Sequence, residues 1–594
     1  MCGIFIAFSK NGSRLSTQKC IKISKNLLNR GPDFHKFSFF RKNTLFFSNT
    51  ILSITGEPSK KKSITNSKNK QLFISFNGEI YNFHELNKNY LMQNQTEKLS
   101  DTEVLVNLHE NFEEEKVQEI INGMYAYVVY NKKLDKLIIS NDSQGEKNIF
   151  YYESENILLI SSTIEAILLY LDKYQINQEQ LKNYFFTRHY MPFKETCFKN
   201  IKIFNTGMIL NYLLKSKKFK IINYDNPLKW ISEKKYNEYN KESERDIISF
   251  FEHELRKQAK LMVPKINYGC IVSGGIDSSL QAAILNSYKP SYKNLVIDHE
   301  KKDPLMKQIY KFNDYFENKI EKIKMSKKIY SILANRCYKI TSSPLYTHDL
   351  PSRLLLSNFF KKNKCKVFFS ADGCDELFGG QQIYYNIFNK KYDYKLNKSP
   401  YTSLLNLSNA IQTKKNKYQN YLDEIWKKTL TKYSFIKSNK EQNIQSSLFL
   451  DYFMQSVNVA NRSSDLISCS NSVEPRNIFI SRNILKIVVN LPLKYKINYF
   501  EPNPLFRQKY LLKKIFSKYF DKKLIFSKQG FSGFPNALKA KRKKYELTKK
   551  ILKIEKSLLL KNIRSYYDKK NKSRDMEWKM INSERFLNIF LNNE

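Results

Sequence analysis

The apolar pattern of this chain changes its period once, and that change bounds what the chain can fold into. Up to about residue 225 the apolar residues come in short runs, "LFISFNGEIYNF", "YAYVVYN", "KLIISND" and "NILLISST", rich in β-branched and aromatic residues with Asn, Asp and Gly between them. Such runs predict a strand-rich unit. One helix is expected among them, over "DTEVLVNLHENF", where Val104, Leu105 and Leu108 share a stripe and Asp101 stands near the start. A polar stretch at 226–243, "NPLKWISEKKYNEYNKES", reads as a linker. Beyond it "RDIISFFEHELRKQAKLM" repeats apolar residues at helical spacing, and "YGCIVSGGIDSS" runs a buried strand into a glycine turn. "KNLVID" and "CKVFFSADG" are two more buried-strand candidates with helical segments between them. Strands alternating with helices predict a parallel sheet that takes ligands at its strand C-terminal ends. After about residue 400 the chain reads mainly as helix, and "SKKKSITNSKNK" (59–70) reads as a solvated basic loop.

A chain of 594 residues exceeds what one core can hold, and units at 1–225 and 244–594 follow from the change of period. Hydrophobic residues at 41% and aromatics at 14% exclude a disordered chain. No apolar run approaches the ~20 residues of a bilayer span, and no basic-then-apolar leader opens the sequence, so a cytoplasmic protein without membrane contact is expected. The eight cysteines never adopt C-x-x-C spacing, which argues against a thiolate metal site. The net charge of +45 suggests nucleic acid at first sight. Yet the lysines are spread along the whole chain and rise together with Asn, Ile, Tyr and Phe. That is the mark of coding bias rather than of a basic face, and a nucleic-acid role on an inactive enzyme scaffold is the weakest reading.

Three stretches carry chemistry. In "MCGIF", removal of Met1 would leave Cys2 with a thiol and a free amine, groups that titrate near ~8.5 and ~8 when unperturbed. That combines a nucleophile with a base on one residue. In "SGGIDSS" (273–279), Gly274 and Gly275 admit an anion to backbone N–H groups at a helix start, and Ser273, Ser278 and Ser279 add hydroxyls. No G-K-[ST] follows, so the loop suits a pyrophosphate leaving an adenylation reaction, with Asp277 as a carboxylate for Mg²⁺. In "SADGCDELFGG" (370–380), Asp372, Asp375 and Glu376 gather at a strand end, as metal–triphosphate binding or proton handling requires.

"MCGIF", "NRGPDFH", "FNGEIYNF", "SDTEV", "SGGIDSS" and "SADGCDELFGG" stand in the order seen in glutamine-dependent asparagine synthetases, and the sequence resembles that family from residue 1 to about 535. The resemblance implies two domains of α+β and α/β class. The first is an N-terminal nucleophile αββα sandwich acting as a glutaminase. The second is a doubly wound, parallel-sheet ATP-pyrophosphatase domain with extra helices. It further implies that Cys2 attacks the glutamine amide, that Asn77 and Gly78 form the oxyanion hole, and that Glu79 and Asp101 hold the α-amino group. "RGPD" (30–33) would lie near that pocket. Val272 and Ile297 would lie near adenine; Ser273, Gly274, Gly275, Asp277 and Ser278 would hold pyrophosphate. Ser370, Ala371 and Asp372 would face the nucleotide and the acyl-adenylate. Lys528, in "FSKQGFSGFP", would sit on the phosphates, with Asp277 and Asp375 on Mg²⁺. The implied partners are glutamine, aspartate and ATP, with a homodimer as one assembly open to the chain.

The sequence departs from that pattern in three places. The family's arginine for the glutamine α-carboxylate is Ile51 here, in "NTILSI", and Arg41 is the nearby candidate to replace it. A lost Arg–carboxylate pair costs ~2–3 kcal/mol, which predicts weak glutamine binding or an impaired glutaminase. The usual catalytic glutamate is Asp372, a tolerable shortening. In "SCSNSVEPRNIFIS" (468–481), Ser468, Glu474 and Arg476 persist but "PFLD" has become "IFIS", which leaves another acceptor carboxylate, such as a sugar acid, as the runner-up to aspartate.

Overall fold

The computed structural model describes residues 2–55, 62–91, 99–186, 194–299, 306, 309–381, 384, 417–525, 538, 545–552 and 572–591. Lys528 and its stretch 526–535 lie outside the described residues.

The strand-rich part forms β1 (Cys2–Ser9), β2 (Phe34–Phe40), β3 (Leu45–Ile51), β4 (Thr65–Asn66), β5 (Leu72–Ile80), β6 (Gly123–Asn131), β7 (Lys136–Asn141), β8 (Phe150–Glu153), β9 (Ile157–Ser161), β10 (Ile201–Ile203), β11 (Met208–Leu213) and β12 (Lys218–Tyr224). They make two six-stranded sheets, in the orders β10-β8-β9-β1-β3-β2 and β12-β11-β7-β6-β5-β4. Alternation along β1 explains how the sheets stack. Ile4, Ile6 and Phe8 face inward onto Leu45 and Phe47 and meet Val128, Ile139 and Tyr212 of the other sheet. Phe5 and Ala7 face outward onto Cys20, Ile23 and Ile167 of the helices Thr17–Lys25 and Ile164–Leu171. The far face of the second sheet is covered by Val104, Leu105 and Leu108 of the helix Asp101–Asn111, closing the αββα order. That helix starts from a capping box of Ser100 and Glu103, which satisfies two otherwise orphaned N–H groups.

The second part carries β13 (Tyr268–Ile271), β14 (Lys293–Asp298), β15 (Ile320–Lys324), β16 (Val367–Phe369) and β17 (Glu474–Arg476), all paired in parallel in the order β15-β14-β13-β16-β17. Helices cover both faces. Ile247, Phe251 and Leu280, from Glu244–Met262 and Ile276–Asn286, pack on Cys270 and Val367. Tyr330, Leu354 and Phe360, from Lys327–Thr341 and Leu350–Lys362, pack on Leu295 and Phe368. The chain runs from β13 outward to β14 and β15, then returns to β16 on the other side of β13. The strand order therefore reverses between β13 and β16, where open parallel sheets form their ligand crevice.

The stretch 226–243, expected as a linker, forms a 3-10 turn (Pro227–Trp230) and a helix (Glu233–Lys241), with Leu228 and Tyr236 buried against Tyr433 and Phe449. Apolar residues spaced among the lysines sufficed to dock it. Within 59–70, Ile64 and Ser67 are buried and Thr65–Asn66 pairs with β5, so the charge count overstated its exposure. No helix among the described residues is long and apolar enough to cross a membrane.

Candidate active sites

The register of the first sheet places Cys2 opposite Ile51, so the thiol sits on the inner face at one end of the sandwich, 6% exposed. Its backbone N–H donates to Asn77 Oδ1 on β5 at 3.0 Å. The Asn77 amide nitrogen is buried and, among the described residues, has no hydrogen-bond partner. A buried donor without an acceptor carries a desolvation cost of about 1–3 kcal/mol, and here it stands beside Cys2. Gly78 follows at φ +150°, and a Cβ there would lie 2.1 Å from the Met124 carbonyl oxygen, so only glycine lets β5 and β6 close at this point. Burial pushes the Cys2 thiol above its ordinary range, while the positive chain terminus and the Leu52 N–H pull it down.

A pocket opens beside Cys2, walled by Lys36, Asn49, Ile51, Glu79, Asp101 and Glu103 among others. Asp101 accepts from the Ile80 N–H at 3.2 Å and the Thr102 N–H at 2.7 Å, and burial raises its carboxyl to about 6 despite these bonds. Glu79 pairs with the buried Arg476 guanidinium, which also holds Glu474 at 2.8 Å. Burial drives the Glu79 carboxyl upward against the pull of Arg476. Arg476 belongs to β17, so one guanidinium ties the pocket wall to the parallel sheet.

The loop "RGPD" lies behind Cys2. Arg30 Nε donates to the Cys2 carbonyl at 3.3 Å, and its Nη2 pairs with Asp465 of the second part at 2.9 Å, both side chains being fully enclosed. Although burial opposes it, Arg30 and Lys147 hold the Asp465 carboxyl below the ordinary carboxylate range. Asn148 Nδ2 donates to the same carboxylate at 2.9 Å. Arg41 does not reach the pocket. It sits at a turn, paired with Asp135 at 2.6 Å and stacked over Phe8, because the chain reverses between β2 and β3 at the far end of the sheet from Ile51.

In the second part, the loops after β13 and β16 flank the reversal crevice. Gly274 has φ +77°, a left-handed turn that favours glycine. Ser278 Oγ accepts from the Ser273 N–H at 3.1 Å and lies 3.0 Å from Ser273 Oγ, closing the loop on the start of the helix Ile276–Asn286. Val272 and Ile297 are fully buried beneath it. Across the crevice, Ser370 is buried and Ala371 half-buried. Asp372 is clamped through both oxygens by Arg353 at 2.7 Å and accepts from Ser370 Oγ at 3.0 Å. Asp277 and Asp375 converge on one ammonium, that of Lys509, which lies 2.6 Å from Asp375. Against the effect of burial, the two carboxylates raise the Lys509 pKa above the ordinary lysine value.

The fold thus gathers the expected residues into two groups, one around Cys2 and one at the crevice. Sequence reasoning passed over Lys36, Arg353, Asp465 and Lys509. Lys509 and Arg353 are cations paired with expected acids, a signal present only in space. Magnesium asks for oxygen donors and takes one or two carboxylates together with phosphates. The converging Asp277 and Asp375 fit that demand. Among the described residues, no group of three or more His, Cys, Asp or Glu forms an all-protein metal seat.

Comparison with known proteins places both parts. A family model described as a glutamine amidotransferase domain matches residues 1–224, and one described as asparagine synthase matches residues 251–587. The chain is 24% identical over 520 residues to asparagine synthetase [glutamine-hydrolyzing] 3 of Bacillus subtilis, covering 84% of this chain and 82% of that protein. It is 23% identical over 410 residues to a probable asparagine synthetase [glutamine-hydrolyzing] of Dictyostelium discoideum, covering 65% and 66%. To asparagine synthetase [glutamine-hydrolyzing] 1 of Saccharomyces cerevisiae it is 26% identical over 285 residues, covering 48% and 43%. With two parallel-sheet loops flanking one crevice, a sandwich ending in Cys2, and a family match over more than half its length, the chain belongs to the asparagine synthase family.

Proposed function

We propose that the protein is a glutamine-hydrolysing, ATP-dependent amide ligase that makes asparagine from aspartate. The observation that supports this reading is the Asn77 amide nitrogen, unpartnered among the described residues and belonging to the side chain that bonds the Cys2 N–H, next to a pocket lined by Cys2 and three carboxylates. Once Met1 is removed, the Cys2 thiolate adds to the side-chain carbonyl of glutamine. Asn77 Nδ2 donates to the developing oxyanion, an interaction worth about 3–4 kcal/mol of barrier. The Cys2 amine, having taken the thiol proton, passes it to the departing amide nitrogen as the C–N bond breaks, ammonia leaves, and water hydrolyses the thioester to glutamate. Asp101 and Glu79 hold the α-amino end.

At the crevice, the aspartate β-carboxylate attacks the α-phosphorus of ATP and pyrophosphate leaves. Ammonia then displaces AMP to give asparagine. Ser273, Gly274, Gly275 and Ser278 cradle the pyrophosphate, with Lys528 as an added cation, and Val272 and Ile297 pack near the base. Asp277 and Asp375 are the carboxylates for magnesium, which supplies charge neutralisation on the phosphates. Arg353 clamps both Asp372 oxygens and so fixes the carboxylate beside Ser370 and Ala371. Ammonia would pass from the Cys2 pocket to the crevice inside the protein, away from the water that would protonate it.

The test is product analysis with ATP, Mg²⁺ and aspartate plus either glutamine or ammonium. Asparagine and AMP from both donors are expected, with a Cys2→Ala variant active on ammonium alone. Formation of ADP, or ATP–pyrophosphate exchange with a sugar acid and none with aspartate, overturns the reading.

A further inference from the structure

Lys36 is a buried lysine, 3% exposed, on a strand whose sequence reads as an ordinary sheet edge. The register explains where it goes. Lys36 lies opposite Asn49 on β3, and Asn49 lies opposite Ile4 on β1. Lys36 therefore shares the inner face with Cys2 and Ile51 and lines the same pocket. Asn49 spans to the second sheet, exchanging hydrogen bonds with Phe76 O and N at 3.0 Å each. Among the described residues no hydrogen bond or ion pair holds the Lys36 ammonium. The nearby Glu103 is engaged elsewhere, accepting from the Ser100 N–H and hydroxyl at 2.9 Å each. Burial pulls the Lys36 pKa below the ordinary lysine value, with Glu103 and Cys2 acting in the opposite direction.

An ammonium largely enclosed in a pocket wall, with no protein anion bonded to it, is stabilised when a ligand anion meets it. The described pocket wall contains three carboxylates, Glu79, Asp101 and Glu103, and Lys36 as its one cationic side chain. A ligand that answers both signs is a zwitterion: its ammonium goes to the acids and its carboxylate to the lysine. We propose that Lys36 binds the α-carboxylate of glutamine, doing from β2 what the aliphatic Ile51 on β3 cannot. This rests on the glutaminase reading above. A lysine makes one point contact where an arginine makes two parallel ones, so recognition here is by charge more than by planar geometry.

The experiment follows alkylation of Cys2 by 6-diazo-5-oxo-L-norleucine, a glutamine analogue, using intact mass on the full-length chain. A second probe, 5-amino-1-diazopentan-2-one, lacks the α-carboxylate. For Lys36→Met, the half-saturating concentration of the first probe is expected to rise about tenfold to hundredfold, the usual worth of a charged hydrogen bond. Lys36→Arg should restore it to within a few fold, and the decarboxylated probe should label parent and variant at one rate. Arg41→Ala should match the parent with both. Equal labelling of parent and Lys36→Met by the amino-acid probe overturns the assignment alone, as does equal slowing of both probes, which marks a packing role. Absence of Cys2 labelling in the parent overturns the glutaminase reading together with it.

Discussion

The pocket at Cys2 and the crevice between β13 and β16 handle their charges in opposite ways. Around Cys2, the Asn77 amide nitrogen is buried without a partner among the described residues, and the Lys36 side chain lines the pocket with no protein anion bonded to it. At the crevice the charges are matched in place, with Lys509 between Asp277 and Asp375, and Arg353 on Asp372. The difference follows from what each proposed ligand brings. Glutamine is a net-neutral zwitterion that must find one acid and one base already separated. A triphosphate brings several negative charges to a crevice where a lysine and two carboxylates hold each other in position. Single changes should therefore act on ligand recognition in the first site and on local stability in the second.

The largest expected effect is on turnover at the first site. Asn77→Ala should lower glutamine-dependent kcat by about a hundredfold to a thousandfold, with ammonium-dependent synthesis retained. Steady-state rates with the two nitrogen donors check this, and equal loss on both would remove the contrast between the sites. Next comes Lys509→Met. It leaves two carboxylates facing each other, at a cost of about 2–4 kcal/mol of folding stability, below the figure for fully buried pairs because both keep some solvent contact. Denaturant melts measure it; an unchanged midpoint would show that the crevice is not cross-braced by this lysine.

A smaller effect concerns pH. The Asp101 carboxyl stands at about 6, above its ordinary value, so it is ionised above that pH and loses its charge below it. The KM for glutamine should accordingly rise about tenfold per unit as pH falls below about 6, and Asp101→Asn should erase this limb. A KM flat from pH 7 to 5 in the parent would remove Asp101 from α-amino recognition. Smallest of all is Arg41→Ala, whose partly exposed pair with Asp135 is worth less than about 1 kcal/mol. It should leave the glutamine KM unchanged, and a tenfold rise would return Arg41 to the pocket.

Motifs local in sequence were the readable part of this molecule. "SGGIDSS" and "SADGCDELFGG" are each a strand end, a turn and the start of a helix, and hydrophobic period with glycine placement specifies such units within a dozen residues. The strand content before residue 225 and the alternation after 244 were legible for the same reason. The docked helix within 226–243 was not legible because the segment's few apolar residues pack on Tyr433 and Phe449, which lie far along the chain. Its local composition carries no trace of them.

What the sequence determined by itself is therefore the set of short-range devices: the Cys2 position, the strand that holds Asn77 and Gly78, the serine–glycine loop and the acids after β16. Only the tertiary structure decided which charges meet. A one-residue slip of β2 against β3 would turn Lys36 to the opposite face of the sheet, and nothing in "DFHKFSFF" fixes that register. Arg476 reaches Glu79 from almost 400 positions away, and Lys509 reaches Asp277 across more than 200. Ion pairing depends on distance in space, which strand order and sheet stacking set. Periodicity reports only which face of its own element a residue occupies.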